Sequence, residues 1–472
     1  MTARAAAIDL GSTRIKSGVL DATDELVDIR DTPAPPLAGD GLIRECEPAA
    51  YMEAASRLLA ETLSHLPEDV PVGIASQRSS FLLWNAESGQ PVTPMISWQD
   101  RRAHEWCLAH ARHNENLVTD TGLFLSPHYA APKLAFLLTG DKALRQAARA
   151  GELRFGTLET YLVWRLTAGR VHVTDLTMAA RTLLADPRSG RWSPRWLEAF
   201  GVAESLLPRI VPTWGRQDVL ADGGVVTATV TDQAAGVIAL LATEPGTGGR
   251  PDVLVNLGTG GFVTIPTGDE MTFAEGYLSG PLISGPDGEV QYTIEGTVNG
   301  IGATLSQAPP GELDSTAVDP SPGVFCSPDS SGLGAPYWRA DVPFVLSRPD
   351  ATLGALERRR VILEGIVFRI AGIIKALCGG AQPRSIVLSG GLLSERFIPQ
   401  ALASCLQHPV YVVDNKESTL LGAARLAAGE PHASPEVHQT PVEPESASYL
   451  PAKFPQWRVW MDDMLLKRPT IR

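Results

Sequence analysis

Two short stretches, far apart in the chain, carry residue types that bind phosphate. Ile8-Asp9-Leu10-Gly11-Ser12-Thr13 sets an acid ahead of a Gly-Ser-Thr turn, between two apolar runs. This pattern reads as strand, turn, strand. Backbone N–H groups at the tip, two hydroxyls and nearby cations would face an anion, and an acid at a strand end could hold a metal. Val255-Asn256-Leu257-Gly258-Thr259-Gly260 aligns with this stretch without a gap. Two equivalent hairpins suggest duplicated domains facing each other across a phosphate. A third stretch, the β-branched run at 225–231, ends at Asp232-Gln233, where a small-residue helix begins at once. Asp232 can then point into the space that the sheet edge lines. The simpler alternative is that Asp232 caps the helix.

These residues need two or three domains to position them. The chain has 472 residues, more than one hydrophobic core accommodates. Hydrophobic content of 44% and charged content of 20% are ordinary for a globular protein. A net charge of −13 argues against nucleic acid or an anionic membrane as the main partner. It permits an anionic substrate, since a phosphate site needs only local donors. No apolar run approaches the roughly 20 residues that span a membrane, and Asp9 interrupts the first apolar run, so no signal peptide is expected. The five cysteines are scattered without a CxxC pair, which suits reduced thiols in the cytoplasm and disfavours a zinc site.

Strands alternating with helices favour an α/β protein with a mainly parallel sheet. Residues 22–48 read as loop and 48–66 as a helix. A buried strand at 70–75 delivers Ser76-Gln77-Arg78-Ser79-Ser80 into a loop, after which 81–84 resumes the strand. Residues 155–164 read as a helix. The Pro/Gly-rich segment 244–250 is the clearest linker, and the main domain boundary is expected there. The longest helical pattern covers 353–377, a small-residue helix follows at 418–428, and 457–466 reads as a terminal helix.

Taken in order, the motifs resemble the FGGY family of carbohydrate and polyol kinases, and are most similar to its glycerol kinase branch. The matching pieces are Ser76-Gln77-Arg78, Trp98-Gln99-Asp100-Arg101-Arg102, Gly156-Thr157-Leu158-Glu159-Thr160, Val171-His172-Val173-Thr174-Asp175, Asp232-Gln233, Gly258-Thr259-Gly260, the run from Gly332 to Trp338, Gly390-Gly391 and Leu421-Gly422-Ala423-Ala424. The resemblance spans nearly the whole chain. It implies two ribonuclease H-like (actin-like ATPase) domains with an interdomain cleft, residues 1–245 and 246–430, and a tail, 431–472, that packs back on the N-terminal domain. It implies ATP with Mg2+, and a likeness to proteins that are often homo-oligomers, a dimer among the expected forms.

The resemblance also implies roles. Asp232 is the expected catalytic base, accepting the proton of an alcohol held in line with the transferred phosphoryl group. Asp9 orients the metal. Ser12, Thr13, Lys16, Gly258, Thr259 and Gly260 serve the β- and γ-phosphates, where preorganised donors contribute most of the catalysis. Gly302, Gly390 and Gly391 allow close approach to adenosine, with tight helix packing the competing use of Gly302. Arg78, Ser79, Trp98, His128, Asp232, Gln233 and Phe262 are the expected substrate contacts; the plainer readings are an ion pair with Asp100 for Arg78 and core packing for Trp98. Asp100, Arg101 and Arg102 read as a structural ion-pair network. The chain departs from the family pattern around Lys133 (His128, Ala130, Phe136), near the adenosine (Ser389, Glu395) and in a shortened segment at 309–331, and two of the departures fall among the substrate contacts. Ser79 stands where an acid follows the Gln-Arg pair, and His128 stands in place of a tyrosine. The expected activity is transfer of the γ-phosphoryl of ATP to glycerol, a longer polyol or a ketose. Alternatives are a kinase-derived sugar- or nucleotide-binding protein and an actin- or chaperone-like ATPase.

Overall fold

The computed structural model describes residues 3–221, 224–241, 252–313, 318–413, 417–432 and 439–468. Both expected hairpins form. The first pairs Ala3–Leu10 with Arg14–Asp21, and the second pairs Asp252–Leu257 with Gly261–Gly268. Each hairpin nucleates a sheet of the same plan. In the first, Ala3–Leu10 runs parallel to Pro71–Ser76, which runs parallel to Val225–Thr231, and Leu26–Pro33 pairs antiparallel on the hairpin's other side. In the second, Asp252–Leu257 runs parallel to Ser385–Ser389, which runs parallel to Val410–Val413, and Val290–Val298 pairs antiparallel on the far side. The repeat seen in six residues therefore extends to strand order, the ribonuclease H-like plan built twice.

Two helices join the halves. Asp232–Leu240 leaves the first sheet, and Ser418–Ala427 comes from the end of the second half. Both are rich in alanine, so they pack close, and they share one core with Ala7, Ala75 and Val230 of the first sheet and Leu254 and Val387 of the second. The approach is tight. A Cβ at Gly422 would lie 1.9 Å from the carbonyl oxygen of Ala235, and one at Gly73 would lie 2.1 Å from that of Ala423. Arg425 clasps the pair by donating to the Ala239 carbonyl at 2.9 Å. Gly422→Ala should therefore cost about 3 kcal/mol or more, since backbone must move to admit a methyl group. Thermal unfolding of the variant measures this, and an unchanged melting temperature would contradict it.

Several local expectations change. Leu26–Pro33, expected as loop, is an edge strand. Edge strands expose much of their surface, so its charged residues masked the pattern. Phe81–Asn85 does not resume the strand before it but pairs with Leu153–Thr157 in a separate four-stranded sheet. Phe155, Gly156 and Thr157, expected to be helical, thus belong to a strand, and the helix starts at Leu158. Asp232 is not the helix cap. The Thr231 side chain accepts from the Ala234 N–H, and Asp232 is the first helical residue. The boundary expected at 244–250 lies outside the described residues.

The tail corrects a larger expectation. The terminal helix runs Leu450–Leu466, seven residues earlier than its expected start, and continues through Pro455. Leu450, Phe454, Trp457, Met461 and Met464 place an apolar stripe against the long helix Ala355–Leu377, in the core of the second half. Buried Lys453 confirms the docking with ion pairs to Asp319 at 2.9 Å and Glu364 at 2.8 Å. The tail therefore packs on the second half and not on the N-terminal domain. Gln439–Val442 adds an edge strand to the second sheet in the same region. No described helix is long and apolar enough to cross a membrane.

Candidate functional site

The first strand ends with Asp9 beside Lys16 and Ala75 of its neighbours. Its Oδ1 is buried without a hydrogen-bond partner. Burial first, then the nearby Asp232 and Glu417 carboxylates, push the Asp9 carboxyl up to about 8, against the opposing pull of Lys16. Asp232 sits at the head of its helix, and its Oδ1 accepts from the Gln233 N–H at 2.8 Å. Burial also raises the Asp232 carboxyl, Arg78 lowers it most, and Glu295 adds to the rise. Two carboxylates with raised affinity for protons thus face one space, an arrangement that favours a cation or a proton acceptor there.

Arg78 lies at the centre of the other end. Its Nη1 donates to Glu295 at 2.9 Å, its Nε stands 4.0 Å from Asp232, and its guanidinium carbon lies 5.9 Å from the centre of the Phe262 ring. The Asp100 pairing considered for Arg78 does not occur, because Asp100 accepts from Arg102, which also reaches Glu45. The second half supplies the carboxylate instead. Trp98 and His128 are neighbours, with ring centres 5.4 Å apart, and both are partly exposed. Burial, reinforced by Lys133, Arg78, Arg101 and Arg181, holds the His128 imidazole well below its usual range. It is neutral at physiological pH and offers one donor and one acceptor.

A chain of hydrogen bonds ties the two ends together. Tyr51 donates to the Gly11 carbonyl at 2.7 Å, the Gln77 amide reaches the Tyr51 hydroxyl at 3.4 Å, Ser80 donates to Gln77 at 3.0 Å, and the Trp98 N–H donates to Ser80 at 3.0 Å. The polar cluster after the 71–76 strand thus links the hairpin turn to Trp98. Lys133 braces the next pair of loops, donating to the carbonyls of Ser97 at 2.8 Å and His128 at 3.1 Å. Burial draws its ammonium down to about 7. Lys133→Met would leave two carbonyls unsatisfied, at roughly 2–4 kcal/mol in total. It should raise the KM for the alcohol more than it lowers kcat, which initial rates on a stable preparation will read.

The structure alters three expectations. Ser79 does not face the cleft: it is 1% exposed, its φ is +65°, and its hydroxyl donates to the Arg181 carbonyl at 3.2 Å. The backbone turns there to aim Arg78, and the serine is sealed behind it. Lys16 is not free for phosphate, because its ammonium is held by Glu417 at 2.6 Å and 2.9 Å. Gly302 meets the turn of the second hairpin, where a Cβ would lie 3.0 Å from the Gly258 carbonyl oxygen, so helix packing accounts for it. Gly390, with φ +104°, passes over Leu257. Ser12, Thr13 and Thr259 are exposed at the hairpin tips, Gly258 and Gly260 are partly exposed beside Thr259, Gly391 is exposed past the 385–389 strand, and Gln233 is partly exposed beside Asp232.

Arg181, Glu295, Tyr129 and Glu417 are additions that the motifs did not announce. The available signal was a lone charge inside an apolar run, Arg181 within 176–184 and Glu295 within the buried strand Val290–Val298. Charges are rarely buried unless paired.

The comparisons with known proteins follow this layout. Residues 5–224 match the model of the FGGY family of carbohydrate kinases, N-terminal domain, and residues 253–429 match that of its C-terminal domain. The chain belongs to the FGGY family of carbohydrate kinases. A glycerol kinase of Shewanella woodyi is 31% identical over 446 residues, 89% of this chain and 89% of that one. A Plasmodium falciparum glycerol kinase solved with ADP superposes with a TM-score of 0.82 at 21% identity, over 99% of this chain and 98% of the other. A gluconate kinase from Lactobacillus acidophilus gives 0.80 at 19% identity, over 97% and 98%. At such identities the two solved structures speak for the FGGY fold alone. The family match sets aside the actin- or chaperone-like reading.

Proposed function

We propose that this FGGY kinase transfers the γ-phosphoryl of ATP to a hydroxyl of a small polyol or ketose, with Asp232 as the base. The supporting observation is the placement of Asp232 between the Asp9 hairpin and the Arg78 guanidinium. Asp232 accepts the alcohol proton as the oxygen attacks; its raised carboxyl makes it a better acceptor than an ordinary aspartate. Arg78 orients hydroxyls with directional donors. Trp98 and Phe262 wall the carbon chain, and His128 and Gln233 complete the substrate contacts. The exposed tips at Ser12, Thr13, Gly258, Thr259 and Gly260 offer donors to the phosphates. Gly390 and Gly391 leave the adenosine side open.

The residues fit Mg2+. The orphaned Asp9 Oδ1 is a buried carboxyl oxygen without a partner, free to exchange its proton for a cation, and no group of three or more ligating side chains occurs among the described residues. Asp9 would therefore hold the ion jointly with ATP. When bound, Mg2+ supplies charge neutralisation on the phosphates. The five cysteines are free and buried, which suits a cytoplasmic setting.

The experiment is a coupled ADP-release screen across glycerol, tetritols, pentitols, pentuloses and heptuloses. Turnover with at least one, above the rate with ATP alone, is the expected result. Nucleotide binding without turnover on any of them would favour the binding-protein alternative.

A further inference from the structure

Behind the candidate substrate contacts lies a charge cluster drawn from both halves. Arg78 and Arg181 share a single carboxylate, Glu295. Arg78 donates to it at 2.9 Å and 3.4 Å, and Arg181 Nη2 donates to the same Oε2 at 3.1 Å. Glu295 is 2% exposed and Arg181 8%. Arg181 also bonds the Tyr129 hydroxyl. Glu295 comes from the strand Val290–Val298 of the second sheet, 217 residues from Arg78 and 114 from Arg181. Burial opposes its charge, but Arg181 and Arg78 more than compensate and hold it down at about 2. Glu295 is ionised at every working pH.

The balance of this cluster has a chemical consequence. Two guanidiniums face two carboxylates, Glu295 and Asp232, and position 79 adds none because it is a serine. A neutral polyol meets donors and acceptors with no net field. A substrate bearing its own carboxylate would enter a compartment whose cations are already committed, and would stand against two like charges. Juxtaposed like charges in such a place cost several kcal/mol.

We propose that Glu295 is a specificity-determining positioning residue: by engaging Arg78 and Arg181 together it aims Arg78 at a neutral hydroxyl and closes the site to sugar acids. Glu295 acts through Arg78 and does not touch the substrate. The inference rests on the reading above that Arg78 and Asp232 line the substrate site.

The test compares the wild type, Glu295→Gln and the double variant Arg181→Gln with Glu295→Gln. The probes are neutral glycerol, erythritol and xylulose against anionic glycerate and gluconate, read by coupled ADP release and by ligand-induced shifts in melting temperature. In the wild type the neutral probes should exceed the anionic ones by about 100-fold in kcat/KM. Glu295→Gln should lose about 10-fold on neutral probes through KM, keep its KM for ATP within about twofold, and narrow the neutral-to-anionic ratio by about 10-fold. The double variant, again balanced at one cation and one anion, should recover the ratio. Should Glu295→Gln not fold, Arg181→Gln alone carries the opposite imbalance and should widen the ratio. An unchanged ratio in the folded variants, a loss confined to kcat, or a wild type that prefers sugar acids would overturn the proposal. If nothing on the panel drives ADP release, the kinase reading fails by itself. The melting-temperature shifts still decide the charge preference, and equal or absent shifts for both classes overturn it.

Discussion

Replacing Asp232 by asparagine should lower kcat by about 10²–10⁴-fold, the range that a positioned general base supplies, while ATP affinity stays near that of the wild type. Asparagine keeps the shape and can still accept from the Gln233 N–H, which Asp232 Oδ1 accepts at 2.8 Å. It cannot take a proton. The helix is not at risk, because Thr231 and not Asp232 caps it. Loss of turnover with an unshifted melting temperature would therefore report chemistry. Near-normal turnover would remove Asp232 from its assigned role. The same carboxyl sets a pH dependence. Its affinity for protons is raised by burial and by Glu295, and lowered by Arg78 and Arg181. The base works only when ionised, so activity is full above its folded-state pKa and falls as pH drops through it. The acid limb of kcat/KM should lie above the range of an ordinary aspartate and should vanish in Asp232→Asn.

Asp9→Asn should reduce kcat by about 10³-fold, equivalent to roughly 4 kcal/mol of transition-state stabilisation. Its second readout is stability. Burial pushes the wild-type carboxyl up to about 8, so folding at neutral pH must draw a proton onto Asp9 or bury its charge beside an Oδ1 that has no partner, and either costs folding free energy. A neutral amide relieves that cost, so the free variant should melt higher than the free wild type. Conversely, addition of Mg2+ with ADP should raise the melting temperature of the wild type more than that of the variant. A lower melting point for the free variant, or equal ligand shifts in both, would count against Asp9 as the cation's holder. A site that is less stable empty than neutralised is expected where a protein keeps charge ready for a ligand.

Position 79 lies outside the cleft. Read as a sequence, Ser79 leaves a gap in the substrate contacts. In the folded chain the serine is sealed against Arg181 and the local carboxylate comes from Glu295, on the other sheet. The carboxylate beside Arg78 therefore comes from a distant strand, and the sealed serine contributes its backbone turn.

The linear order of residues determined the hairpins and the strand end proposed for the phosphate side of the site. The hairpin at Asp9, its repeat at Asn256 and the strand that ends at Asp232 are local patterns. A strand, a tight turn and a second strand need only near neighbours, and a β-branched run followed by small residues marks a strand-to-helix junction wherever it occurs. The duplicated sheet order followed from the repeat, since each hairpin recruits strands by the same edge. The long helix Ala355–Leu377 was legible because its apolar spacing is sustained for 23 residues.

Only the tertiary structure decided the rest. Glu295 reaches Arg78 across 217 positions, and Glu417 reaches Lys16 across 401. No local spacing encodes such pairs, because they depend on how two sheets dock through the helices at 232–240 and 418–427. The tail chose the second half by matching an apolar stripe to the 355–377 helix, a choice invisible until both surfaces exist. The edge strand Leu26–Pro33 was hidden for the opposite reason, since a strand with much of its surface in water shows little hydrophobic pattern. Local chemistry is written in neighbouring residues, whereas the partner of a buried charge is set by packing, and here packing determines what surrounds Arg78.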